Sequence, residues 1–225
     1  MSTFLISLII NFLFFSSGSS DSLQGAWKSD NGVFIFSGNY FAFTEYTPSE
    51  FKNTYGGSCK INRVSVELAY EFNTLEPEKV GTSEVSSIVI HGNIMNLGNQ
   101  EFTRLDNGTP GKLNGTWLFA NRVTNGHMGT ARNADSPRKT MKILSGARFQ
   151  WIAYNVETKE FMGTGGGTYT TENGKYTENI DFFSRDNSRV GASLEFDYEI
   201  KGDDWHHQGL NSRGEPMYEI WSRRN

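Results

Sequence analysis

FKNTYGGSCKIN (51–62) and FMGTGGGTYTTE (161–172) match without a gap at a shift of 110 residues. Phe51 falls on Phe161, Thr54 on Thr164, Gly56-Gly57 on Gly166-Gly167 and Ser58 on Thr168. The same shift carries Glu71-Phe72 onto Asp181-Phe182 and Val80-Gly81 onto Val190-Gly191. With small changes of shift, LQGAW (23–27) answers LNGTW (113–117), Ser37-Gly38 answers Ser145-Gly146, and Phe43 and Tyr46 answer Trp151 and Tyr154. Near the ends, FTR (102–104) answers WSR (221–223). The chain is a tandem duplication. Its glycine pair is therefore a scaffold feature first, because glycine in a strand permits the bulges and close backbone contacts that barrel corners need.

GTGGG (163–167) invites a second reading, as a loop that cradles phosphate. A dinucleotide fingerprint needs G-x-G-x-x-G opening a helix, but Thr168 holds the third glycine position. Downstream of it, Thr170, Thr171, the turn pair Asn173-Gly174 and Tyr176 prefer strand and hairpin. A P-loop fails as well, since Tyr176 comes after Gly174-Lys175 where Ser or Thr belongs.

The 225 residues suffice for two domains of about 100 residues, each with its own core. A net charge of −4, with no basic stripe interleaved with aromatics, argues against nucleic acid as a partner. Residues 4–15, FLISLIINFLFF, are too short to span a bilayer comfortably, and the SSGSS directly after them suits a cleavage site. Residues 1–20 are thus expected to be a signal peptide, without a basic n-region, leaving no stable membrane span after cleavage. Cys59 is the single cysteine, so no internal disulfide forms. It aligns with Tyr169 and reads as a packed side chain. Export without disulfides points to a bacterial envelope, periplasmic or secreted.

Alternation at period two dominates the chain. In RFQWIAY (148–154), Phe149, Trp151 and Ala153 share one face; in SLEFDYEI (193–200), Leu194, Phe196, Tyr198 and Ile200 do. VSVELAYEF (64–72) and SSIVIHGNIM (86–95) behave similarly, and turn signals separate the runs. The expected fold class is all-β: two tandem small antiparallel β-barrels, at 21–106 and 113–225, joined by a polar, glycine- and proline-containing linker at 107–112. The repeats differ between Trp27 and Ser37, which are ten residues apart, and Trp117 and Ser145, which are 28 apart. The insertion, NRVTNGHMGTARNADSPRK (121–139), is polar, partly basic and placed where binding loops or surface excursions occur.

A G-x-W opening each repeat and an aromatic-x-Arg closing it resemble lipocalin-type (calycin-like) barrels. RFQWIAYN (148–155), GGGTYT (165–170), GKYTENIDFF (174–183), SRVG (188–191) and DDWHHQG (203–209) are similar to lipocalin-like domains of exported Bacteroidetes proteins. The resemblance covers most of 113–225 and, more weakly, 23–104. It implies that Trp27 with Arg104, and Trp117 with Arg223, close one end of each barrel by stacking.

No G-x-S-x-G or H-E-x-x-H motif is present. His206-His207 is the one histidine pair, and neighbouring strand residues face opposite sides, so the two do not readily share a metal. One of them can face a barrel mouth beside Trp205 as a donor or base, with haem ligation by His206 or His207 a minor alternative and a hydrogen-bonded rim histidine the bland one. Tyr176, Glu178, Ile180 and Phe182 share a strand face; turned inward, Glu178 needs a partner such as Arg148 or Arg185, and turned outward it is an ordinary solvated residue.

Four of the five tryptophans (Trp117, Trp151, Trp205, Trp221) lie in the second repeat, which is the expected binding unit of a monomeric or weakly associating protein. The expected partner is a small apolar or amphipathic molecule held by Arg148, Phe149, Trp151, Tyr169, Tyr176, Glu178, Phe196, Trp205 and His206, with no cofactor. The rivals are a calycin-type enzyme using Glu178 or His206 as base, and an envelope interaction module without a small ligand. A closed aromatic cavity marks the first, a hydrogen-bonded carboxylate–histidine pair the second, and filled barrels with an exposed apolar patch the third.

Overall fold

The computed structural model describes residues 23–48, 50–211 and 213–225; the apolar run 4–15 and the expected cleavage site lie outside them. Eight strands form the first sheet: β1 (Gly25–Lys28), β2 (Val33–Ser37), β3 (Tyr40–Thr47), β4 (Glu50–Asn62), β5 (Ser65–Asn73), β6 (Ser83–His91), β7 (Ile94–Leu97) and β8 (Gln100–Asp106). Each pairs antiparallel with the next, and β8 returns to β1 to close a barrel. The second sheet holds β9 (Gly115–Thr124), β10 (His127–Met128), β11 (Arg138–Leu144), β12 (Arg148–Asn155), β13 (Phe161–Glu172), β14 (Lys175–Phe183), β15 (Ser193–Lys201), β16 (Asp204–Leu210) and β17 (Pro216–Arg223). Pairing of β17 with β9 closes a second eight-stranded barrel, with β10 hairpinned onto the end of β9. Closure removes the free sheet edges that an open meander would expose.

The register carries the duplication into three dimensions. Trp27 lies opposite Phe34, Phe34 opposite Phe43, and Phe43 opposite Tyr55. The second barrel repeats this as Trp117, Lys142, Trp151 and Gly165. At the closed end of each barrel the tryptophan indole donates to a leucine carbonyl, Leu23 or Leu113, at 2.9 Å. The guanidiniums of Arg104 and Arg223 stack 3.8 and 3.9 Å over Trp27 and Trp117, in the pairing that the resemblance implies.

The glycine pairs do mark bulges. Register shifts occur at Gly56/Gly57 and at Gly166/Gly167, where a Cβ on Gly57 or Gly167 would collide with the carbonyl of Ala69 or Asn179. On the partner strand the extra residue is Glu71 or Asp181, and beyond it the side chains change face. Phe182 therefore points away from the barrel and Phe183 into it, which corrects the placement of Phe182 beside Tyr176 and Glu178.

These outward residues pack the barrels together with approximate two-fold symmetry. Phe72 meets Tyr154 at 5.1 Å between ring centroids, and its counterpart Phe182 meets Tyr46 at 4.8 Å. Tyr154 donates to Glu71 and Tyr46 to the equivalent Asp181. Phe51 and Phe161, equivalent to each other, lie near-parallel with their ring centroids 6.1 Å apart. Gln150 bridges the equivalent hydroxyls of Thr54 and Thr164 at 2.9 and 3.0 Å. Ala26, Ile35, Met141, Ile143 and Ile152 fill the remaining apolar layer. The segment 107–112 is pinned as well: Asp106 accepts from Ser145 and from the backbone of Gly146 and Ala147, and Gly111 donates to Gly146.

Candidate functional site

The two interiors differ in chemistry. In the first barrel Phe34, Phe36, Phe41, Phe43 and Phe102 interlock, with Leu68, Val66 and Met95 beneath them. Its mouth is filled by Tyr55 and Tyr70, and Tyr70 donates to Glu84, which Lys79 also pairs at 2.8 Å. Register places Lys142 at the position of Phe34, Glu178 at that of Leu68 and His207 at that of Leu97. Gly165, Ile180 and Leu194 stand where Tyr55, Tyr70 and Glu84 fill the first mouth.

The second barrel consequently holds a cavity of about 310 Å³. Trp151, Phe183, Ile180, Leu194, Phe196 and Trp221 supply most of its apolar wall. Inside it, Lys142 Nζ lies 2.8 Å from Glu178 Oε1, and both residues are buried. Tyr176 donates its hydroxyl to the same oxygen at 2.8 Å. The ammonium also sits 4.8, 5.1 and 5.2 Å from the ring centroids of Trp205, Tyr176 and Trp221. An ion pair out of water survives only when both ends are held in this way. Burial, and then the Glu178 charge, push the Tyr176 hydroxyl well above its ordinary range, so it remains a donor.

His207 packs 4.1 Å from Phe196 and 5.2 Å from Trp205, ring to ring. Both of its ring nitrogens are without a hydrogen-bond partner among the described residues, as are the indole nitrogens of Trp205 and Trp221. Burial, reinforced by the nearby Lys142 charge, drives the imidazole well below its ordinary pKa and keeps it neutral. Buried polar atoms are normally paired, so the unpartnered nitrogens of His207 and Trp221, both residues of the cavity wall, are the chemical signature of the site.

The rim is supplied by the insertion and its neighbours. Asn125 and Gly126, both at positive φ, turn β9 into β10, so part of the insertion is a hairpin rather than a loop. Arg132 then returns over the barrel, bonded through its backbone to Ala120, with its guanidinium 4.8 Å over Phe119. Arg122 pairs with Glu219 at 2.5 Å, and Arg189 reaches the same cavity from the turn before β15.

Among the residues expected from sequence, Trp151, Glu178 and Phe196 line the cavity. Phe149, Tyr169, Tyr176 and Trp205 lie in the core cluster packed around it. Arg148 does not join them; its guanidinium faces the first barrel and pairs with Asp181 and Tyr46. Glu178 is partnered by Lys142, neither by Arg148 nor by Arg185, which bonds the carbonyl of Met162. His206 lies on the outer face, its Nδ1 2.8 Å from the Tyr218 hydroxyl. Period-two alternation from the inward Trp205 selects His207 instead. Sequence reasoning misses Lys142, Phe183 and Trp221 as cavity residues, although the shift of 108 that aligns Phe43 with Trp151 also aligns Phe34 with Lys142. No protein-family model matches this chain, and no curated protein does either.

Proposed function

We propose that this chain is an exported lipocalin-like protein whose second barrel binds a small amphipathic molecule in its cavity, while the first barrel is a structural partner. The observation that carries this reading is the exchange of Phe34, Leu68 and Leu97 for Lys142, Glu178 and His207 around an aromatic cavity of about 310 Å³. That volume lies at the lower end of the roughly 300–1,000 Å³ of small-molecule sites. The export part rests on the apolar run 4–15 with SSGSS behind it, and a bacterial envelope setting on the same segment and the single cysteine. The rival reading with a calycin-type base has less support, since His207 and Glu178 are not hydrogen-bonded to each other and His206 is engaged outside.

Titration with the apolar fluorophore N-phenyl-1-naphthylamine tests the binding reading. Saturable binding at one site is expected, weakened tenfold or more by Trp151→Ala and by Ile180→Tyr, which restores the first barrel's filling. Phe43→Ala should lower stability by about 3–5 kcal/mol and leave binding intact. Binding that is absent, or indifferent to Trp151 and Ile180, overturns the proposal and favours an interaction module.

A further inference from the structure

We infer that the ligand is a small hydroxylated aromatic or alicyclic acid, bound with a neutral polar group inside the barrel and its anionic group at the rim. This rests on the binding proposed above and adds chemical class and orientation. The inner wall already carries a balanced pair, Lys142 with Glu178. A third charge placed beside them would be buried without a counter-ion, which is strongly unfavourable. The unpartnered groups ask for something else. Trp221 offers an N–H donor only, whereas the neutral His207 offers one donor and one acceptor, and both are almost fully buried. A carboxylate at that depth can only accept and brings charge. An ammonium can only donate and brings charge next to Lys142. A hydroxyl accepts from an indole or imidazole N–H and donates to the bare imidazole nitrogen.

At the rim the balance is reversed. Arg122, Arg132 and Arg189 face the cavity against the carboxylate of Glu219. Arg122 is paired with Glu219 and Arg189 with Asp186, so the guanidinium of Arg132, stacked over Phe119, leaves the rim with a net positive charge. The whole chain carries −4, so this local sign does not follow from composition. Exposed cations around an apolar mouth favour an anionic end that stays hydrated.

The test uses the full chain and four probes of one shape: biphenyl, 4-hydroxybiphenyl, biphenyl-4-carboxylate and 4′-hydroxybiphenyl-4-carboxylate, titrated by calorimetry at pH 8. The hydroxy acid should bind tightest. Loss of the hydroxyl should weaken it about tenfold, as one hydrogen bond to a desolvated site is worth. Loss of the carboxylate should cost several-fold at low salt and little at about 0.5 M salt. Within the series, His207→Leu should cancel the hydroxyl advantage, and Arg132→Gln the carboxylate advantage, each leaving biphenyl binding in place. Four equal affinities in the unaltered protein, or a hydroxyl advantage that survives in His207→Leu combined with Trp221→Phe, would overturn the inference alone. Failure of biphenyl itself to bind would overturn it together with the binding reading beneath it.

Discussion

The two barrels share strand order, register, glycine-pair bulge and the Trp–Arg closure, yet one is packed with phenylalanine and the other buries a Lys–Glu pair in its interior. Backbone geometry is therefore indifferent to the exchange, provided every buried charge is answered. Apart from the insertion that builds the rim, what separates the two interiors is a handful of positions on the inner face. At those positions the first copy has apolar packing that stabilises by itself, and the second has groups that stabilise only in combination.

The largest effect expected from breaking that comparison is at Lys142. Lys142→Ala leaves Glu178 buried with only Tyr176 for company and should cost about 3–5 kcal/mol in urea unfolding. Lys142→Phe with Glu178→Leu installs the first barrel's own pair, Phe34 and Leu68. It should range from neutral to about 4 kcal/mol more stable than the native chain, while abolishing the proposed ligand binding. A double variant as unstable as the single one would mean that the second barrel cannot adopt the first barrel's packing.

Acid gives the next largest effect. His207 is neutral when folded, whereas in the unfolded chain it protonates below its ordinary value of 6.5. The unfolded state then binds the extra proton, so stability is full above that pH and falls as pH drops below it. The slope is about 1.4 kcal/mol per pH unit until the folded-state value is reached. His207→Leu, which copies Leu97, should flatten the dependence between about pH 6.5 and 5. An unchanged slope in that variant would place the sensitivity elsewhere.

The smallest difference concerns the shared face. Tyr154 bonds Glu71 at 2.5 Å and is fully buried, while Tyr46 reaches Asp181 at 3.4 Å and is half-buried. Tyr154→Phe should therefore cost about 2 kcal/mol and Tyr46→Phe about 0.5 kcal/mol, although the two occupy equivalent positions. Equal costs would show that symmetry of place governs the energy there.

Much of the architecture is legible in the sequence, because glycine pairs, an opening tryptophan and a closing arginine report backbone requirements that each copy must meet. Inward facing is legible only as far as alternation holds. Alternation puts Phe149 and Trp151 on one face, and both do pack with the inner cluster. It then misplaces Phe182, since the bulge at Gly166/Gly167 shifts the count by one. The partner of Glu178 is hidden for another reason. Lys142 lies 36 residues away on a strand, RKTMKIL, whose lysines read as ordinary solvent-facing positions. Only the register, transferred from Phe34, reveals that one of them is interior.

The face where Phe72 meets Tyr154 and Phe182 meets Tyr46 also ties the unfolding of one barrel to that of the other. Opening the second barrel uncovers apolar surface on the first, so the open fraction is governed by both cores together. An interior of lysine, glutamate and bare imidazole is thereby supported from outside its own barrel as well as from within. The phenylalanine-filled copy acts as a fixed wall for its neighbour. On the proposed division of labour, duplication widens the range of mutations the second copy survives.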